Sequence, residues 1–313
     1  NNLMNVHRLA RQAQVLHQQR YGVSPEVLAY APGRIEVLGN HTDYNEGFVL
    51  SAAIDAGTCV AVSSAEGNKG TAYSAARNSE ETLDLARLTP GGAPSWANYI
   101  RGMLHGLTLR ADIRQSCHVT VVSDIPMGAG LSSSAALEMS AGLALARLYE
   151  IDVPKLDLAR MGQRAEHEFA GVRCGLLDQM TSLFAEAQAL VWSDFRNLST
   201  RPVPLPPGLA FVMANTAVQH ALVESDYNER RERCEAAAVF FAQALGPHIR
   251  ALRDVSLKDW QRLAQEMDPV TARRAAHIIG ENQRVLEGVE RLRRSDAVGF
   301  GALLYASHES SRT

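Results

Sequence analysis

The 313-residue chain has only four cysteines, Cys59, Cys117, Cys174 and Cys234, and no CxxC pair among them. That argues against a zinc site or a disulfide framework. Reduced thiols in a cytoplasmic protein are the expectation. Charge of neither sign dominates: the formal net charge is only −3. There is thus no electrostatic case for a nucleic-acid partner or an anionic membrane surface. No apolar run approaches the roughly 20 residues that span a bilayer. The opening NNLMNVHRLARQAQ is polar and amphipathic and does not read as a secretion signal. The arginine cluster NERRERCE is intercut with glutamates, the pattern of a solvated helix face. Internal repeats and low-complexity tracts are also missing.

The length and the 46% hydrophobic content suit a sizeable core, in two domains rather than one. Residues 3–20 have the spacing of an amphipathic helix. Two β-like stretches follow, on either side of the polar turn GNHTDYNEG. WANYIRGMLHGL reads as a helix and CHVTVVSDI as a strand. Helices are expected at 134–149, over KLDLARMGQRAEHEFAG and after VRCG, and a strand at QALVWSDF. NLSTRPVPLPPG, residues 197–208, holds four of the twelve prolines and is the linker candidate. Beyond it come an expected strand, LAFVMANTAV, and two long helical stretches. The order of elements is mixed rather than strictly alternating, which favours α+β. The expected domains are 1–196 and 209–313, joined by 197–208.

Three segments bear chemistry. In PMGAGLSSS, Gly128 and Gly130 allow a tight turn and close approach of a ligand. The helix that follows offers unpaired N–H groups and a positive dipole end to phosphate. The alternative is an ordinary turn with a serine cap, and spacing alone weighs the two evenly. No lysine completes a Walker A loop, and no third glycine completes a dinucleotide fingerprint. In GRIEVLGNHTDYNEG, Arg34, His41, Asp43 and Tyr44 crowd one turn, which suits sugar hydroxyls; an exposed Asx turn explains the same residues somewhat better. In CGLLDQ, Asp178 stands among apolar residues and must be paired or used. A base for phosphoryl transfer with Arg34 as partner, and a structural ion pair, fit equally.

Taken together and in this order, the segments resemble the galactokinases within the GHMP family of small-molecule kinases. APGRIEVLGNHTDYNEGFVLSAAI is similar to the galactokinase signature, and PMGAGLSSSAALE to the GHMP phosphate loop. AEHEFAGVRCGLLDQ is similar to the segment with the catalytic aspartate. VQHALVESDYNERRERCEAA, RRAAHIIGENQRVLE and SHESSR follow galactokinase patterns as well. The resemblance implies a two-lobed fold, with a mixed-sheet N-terminal lobe and a ferredoxin-like C-terminal lobe. It implies a cleft between them where ATP, Mg2+ and a galactose-like sugar meet. Asp178 would take or orient the proton of the anomeric hydroxyl, and Arg34 would keep Asp178 ionised. Gly128, Ala129, Gly130, Leu131, Ser132, Ser133 and Ser134 would wrap the triphosphate, with Trp96 near the adenine. Ser134 and Glu166 match metal-ligand positions. Asn40, His41, Asp43, Gly175 and Tyr227 match sugar-binding positions. The partners implied are a hexose and ATP; the sequence does not give the oligomeric state, and a monomer is compatible with it.

Two departures from the family pattern stand out. Asn40 replaces the glutamate of GEHTDY, which exchanges a charge for amide donors. That keeps open a sister kinase for a galacturonate-like sugar or an N-acetylhexosamine. The family's last glycine-rich motif is not found, and the chain starts NNLMN and stops at SHESSRT. The expectation is a truncated, processed or incompletely described C-terminal lobe. A non-catalytic galactose- and ATP-binding sensor is a further alternative, against which the intact SSSAA and Asp178 argue. A decarboxylase of the same superfamily fits the HTDYN turn least.

Overall fold

The β-branched run of CHVTVVS and the apolar helical stretches order themselves as seven strands and nine α-helices among the described residues of the computed structural model, which are 2–89, 94–214 and 223–312. Contacts divide the chain into two units. The first takes the residues up to Arg34 together with Ala53–Leu183; the second takes Ile35–Ala52 together with the residues from Phe184 on.

The first unit opens with α1 (Asn2–Tyr21) and the start of β1 (Val27–Leu38). It continues with the larger part of β2 (Phe48–Ser64), then β3 (Lys69–Ser74), β4 (Ser79–Asp84), α2 (Asn98–Thr108) and β5 (Cys117–Ser123). Helices α3 (Ser133–Leu148), α4 (Lys155–Ala165) and α5 (Leu177–Phe184) complete it. Its strands run β4-β3-β5-β2. β5 is antiparallel to β2, with Thr58 opposite Ser123 and Ser64 opposite Cys117, and parallel to β3. Leu9 and Ala13 of α1 pack on Cys59, Ala61 and Val122 of the sheet. α3 is buried nearly all round, because its only large polar side chain in the middle turns, Glu138, finds a partner inside. α2 and α4 meet at Gly102, where a Cβ would lie 2.4 Å from the Ala165 Cβ. Only a missing side chain lets the two helices approach so closely.

In the second unit the first residues of β2 pair with β6 (Ala189–Asp194), Phe48 opposite Asp194 and Ser51 opposite Val191. β7 (Ser199–Pro204) folds back on β6. The helices are α6 (Val223–Leu245), α7 (Leu257–Leu263), α8 (Pro269–Arg293) and α9 (Ala297–Arg312). Leu38, Leu50, Leu190 and Val203 pack with Val285, Val289 and Phe300. A second cluster joins Cys234, Ala237 and Phe241 of α6 to Leu252 and Ile278.

Several expectations differ from this arrangement. Residues 199–204 of the expected linker are strand β7, at the outer end of the sheet path, where prolines lacking an N–H are tolerated. The contact boundary falls after Leu183, and 35–52 joins the later unit, since Leu38 and Leu50 are buried among α8 and α9 side chains. Of the expected strand LAFVMANTAV, 209–214 is irregular, and the rest lies outside the described residues. Among the described residues, every regular element after β7 is helical, so no ferredoxin-like sheet is seen there. No described helix is long and apolar enough to cross a membrane. All four cysteines are free thiols.

Candidate active site

β5 ends at Ser123, and the loop to α3 turns through three left-handed residues: Gly128 (φ 71°), Gly130 (φ 70°) and Ser132 (φ 57°). Ser132 occupies the N-cap position of α3 without capping it. Its hydroxyl donates instead to Asp178 Oδ2. The helix start therefore keeps N–H groups that no capping side chain engages, the arrangement that receives anions. Gly33 and Arg34 of β1 hold the loop from beneath. Arg34 N donates to Leu131 O at 3.2 Å, and Arg34 Nη1 to Gly130 O at 2.8 Å. A Cβ on Gly33 would stand 2.7 Å from Leu131 O, so the PGR sequence needs its glycine there.

Asp178 lies in the first turn of α5. Arg34 Nε donates to its Oδ1 at 2.8 Å, and Nη2 lies 2.6 Å from the same oxygen. The Asp178 side chain keeps a quarter of its surface open, so the pair is not sealed in the core. Glu166 sits where α4 gives way to a π-type turn, Glu166–Ala170, and is buried. Such turns recur at functional sites. Ser134 Oγ donates to Glu166 Oε1 at 3.0 Å. Burial, then the charge of Asp178, pushes the Glu166 carboxyl up to about 7. Gly175 is buried in the segment before α5, which His167 Nε2 and Gln163 Nε2 fix through the Cys174 carbonyl, at 2.8 and 3.2 Å.

Two further polar groups support this cluster and escaped the sequence reading. Gln179 Nε2 donates to Glu138 Oε2 at 3.0 Å and lies 3.5 Å from Glu166 Oε1. Glu138 is wholly buried, and desolvation, then Glu166, raises its carboxyl well above the ordinary range. The signal was present: both are polar residues in apolar runs, the property that singled out Asp178. Beside the loop, a cavity of about 160 Å3 is lined by Trp96, Tyr99, Met127, Ser133, Ser134 and Leu137. The Trp96 Nε1 is buried there with no hydrogen-bond partner. Among the described residues no cluster of three or more metal-ligating side chains exists. Ser134 and Glu166 are hard oxygen donors, and Mg2+ typically takes one or two carboxylates and completes its shell with phosphate and water. The donor set fits that ion.

In the second unit, the turn between β1 and β2 is built on Gly39 (φ 106°), His41 (φ 63°) and Glu46 (φ 55°), around a 3-10 turn, Asp43–Asn45. Thr42 Oγ1 lies 2.7 Å from Gly39 O and 2.6 Å from Phe48 O, and Asn45 Nδ2 donates to His41 O at 2.8 Å. The His41 ring packs against Tyr44 and Tyr227 of α6, with centroids 5.8 and 5.5 Å away. Burial, helped by Arg230, His277 and Arg274, pushes His41 down to about 3, so its imidazole is neutral. Asn40 Oδ1 accepts from Ser311 Oγ at 3.3 Å. Asp43 is half-buried on the same turn. The first unit thus gathers Arg34, Gly130, Ser132, Ser134, Glu166 and Asp178; the second gathers Asn40, His41 and Tyr227.

Comparison with known proteins adds independent support. Residues 98–186 match the GHMP kinases N terminal domain, and residues 16–64 match the galactokinase galactose-binding signature. A galactokinase of Haemophilus influenzae is 38% identical over 304 residues, covering 96% of this chain and 78% of its own. One from Pasteurella multocida is 36% identical over 305 residues, with the same coverage. The structure of Lactococcus lactis galactokinase complexed with galactose superposes with a TM-score of 0.87 at 30% identity, over 96% of this chain and 79% of that one. Methanococcus jannaschii mevalonate kinase, at 14% identity and a TM-score of 0.56 over 91% of this chain and 78% of its own, shares the fold. With this level of identity across nearly its full length, the chain belongs to the galactokinase family of GHMP kinases.

Proposed function

We propose that the chain transfers the γ-phosphoryl group of ATP to the anomeric hydroxyl of galactose. The observation that carries this reading is Asp178, held by Arg34 and Ser132 against the loop that opens α3. Phosphoryl transfer asks for positioning and charge neutralisation more than for covalent chemistry. Asp178 accepts or orients the hydroxyl proton. Arg34 favours the carboxylate form of Asp178 and stabilises charge on the moving group. Gly128 to Ser134 cradle the triphosphate at the helix N-terminus, and Trp96 borders the adenine. Ser134 and Glu166 would hold Mg2+, which supplies charge neutralisation at the phosphate oxygens. Asn40, His41, Asp43, Gly175 and Tyr227 recognise the sugar. Free thiols suit a cytoplasmic enzyme, and a monomer suffices for every role named. The test is ADP release with galactose, ATP and Mg2+. Asp178→Ala should abolish turnover while calorimetry still detects galactose; retained turnover refutes the assignment.

A second reading of the sugar is favoured by Asn40. Its Oδ1 is engaged by Ser311 Oγ, which leaves the amide donors for a substrate, and Arg230 and Arg274 add positive charge near His41. A galacturonate-like carboxylate can accept from those donors, whereas the family's glutamate at this position would repel it. A sugar panel on the natural chain and Asn40→Glu decides between them: identical profiles rule out the uronate.

A further inference from the structure

Two buried side chains on α8 reach the backbone of the turn that holds Asn40, His41 and Asp43. Glu281 is fully buried. Its Oε1 accepts from Gly39 N at 2.9 Å and from Ser307 Oγ at 2.6 Å, and its Oε2 accepts from Arg284 Nε at 2.5 Å. His277, four residues earlier and so on the same helix face, places Nε2 3.0 Å from the Asn40 carbonyl oxygen. A carbonyl only accepts, so that nitrogen bears the hydrogen. Burial lowers the pKa of the ring, against the opposing pull of the Glu281 charge. Nδ1 is then left to accept from Ser310 Oγ, 2.9 Å away. The outer partners Ser307 and Ser310 both lie on α9. α8, backed by α9, therefore grips the backbone of two consecutive residues, at the N–H groups of Gly39 and Asn40 and at the Asn40 C=O.

The turn needs holding. Gly39 sits at φ 106°, with the Phe48 carbonyl oxygen 2.6 Å from where a Cβ would be, and His41 adopts a left-handed conformation that L-residues disfavour. Backbone of this kind persists only where its surroundings over-determine it. A purely structural role would be a buried Glu–Arg pair for its own sake, which is weak evidence of stabilisation. Here one carboxylate oxygen is given to the turn and to α9 rather than to Arg284.

We propose that Glu281 and His277 are positioning residues for sugar recognition: through their hydrogen bonds to the backbone of Gly39 and Asn40 they set the pose in which the 40–43 side chains meet the hexose. The proposal rests on the reading of this turn as the sugar-binding element.

The experiment measures galactose affinity by calorimetry, and KM for galactose and for ATP separately, on the full chain. The variants are Glu281→Leu and His277→Phe, with Glu281→Gln and His277→Gln as conservative partners. Losing a hydrogen bond that bears on the sugar pose should raise Kd and KM for galactose about 10–100-fold. KM for ATP should be unchanged, and the glutamine variants should recover most of the affinity. If a drastic variant fails to fold, Ser310→Ala, which frees the outer nitrogen of His277, should raise the galactose KM alone by a smaller factor. Galactose affinity unchanged in folded variants, or KM raised equally for both substrates, overturns the proposal alone. A natural chain that binds no hexose overturns the sugar reading of the turn and this proposal with it.

Discussion

The Arg34 guanidinium engages two different groups at once, Asp178 Oδ1 through Nε and Nη2 and Gly130 O through Nη1, a fork that the single ammonium nitrogen of a lysine does not reproduce. Arg34→Lys keeps the charge and loses the fork. Charged hydrogen bonds are worth about 1.5–3 kcal/mol each, so kcat should fall about 10–100-fold, with galactose affinity nearly intact. Steady-state kinetics with both substrates varied reads this directly. At the same scale, Asp178 was visible in the sequence as an acid among leucines, and Arg34 as a basic residue after a glycine. Arg34 was already named as the candidate partner of Asp178, but the contact itself, across a separation of 144 residues, is seen only in the fold. Gln179 and Glu138 carried the same signal and passed unread: a polar residue in an apolar run says that a partner exists, not which one.

Two elements can be tested through their backbone and burial. Gly39→Ala would drive a Cβ to 2.6 Å from Phe48 O and 2.7 Å from Val49 Cα, backbone atoms that cannot move aside cheaply. Together with its left-handed φ, this should cost about 3 kcal/mol or more. Chemical denaturation should show the loss as a lowered midpoint with an unchanged slope. On α1, His17 is buried between Thr120 Oγ1 at 3.0 Å and Ser63 Oγ at 2.8 Å. Tyr21 packs on its ring, and His118 is the charge that bears on it. Burial, then His118, lowers its pKa from 6.5 to about 4. Between those values the unfolded chain binds a proton that the folded chain refuses. Stability is therefore full above pH 6.5 and falls as pH drops toward 4. His17→Gln should flatten that part of the Tm-against-pH curve; an unchanged slope between pH 6.5 and 4 would show that another group sets it. Helical and strand periodicity had located α1, α2, α3 and β5 closely. The proline-rich segment misled, since edge position is a property of the sheet and not of the sequence.

For the whole molecule, the division into units cuts across the chain order. A fragment of residues 1–196, the domain expected from composition, would strip Leu38 and Leu50 of Val285, Val289 and Phe300. Each such side chain contributes about 1.5–3 kcal/mol when buried. The fragment should lack a cooperative unfolding transition and bind a hydrophobic dye, whereas the full chain should unfold cooperatively. The sequence by itself determined the α+β class, the order of the three chemical segments and the family, because glycine spacing, apolar periodicity and isolated polar residues are local signals. Only the tertiary structure decided that the 35–52 hairpin segment joins the later helices. It alone decided that Glu281 and His277 seize the Gly39–Asn40 backbone from more than 230 residues away, and that Gln179 stands between two buried glutamates. Those choices are made by long-range packing and desolvation, where each partner is selected by the space left for it once the rest of the chain has condensed.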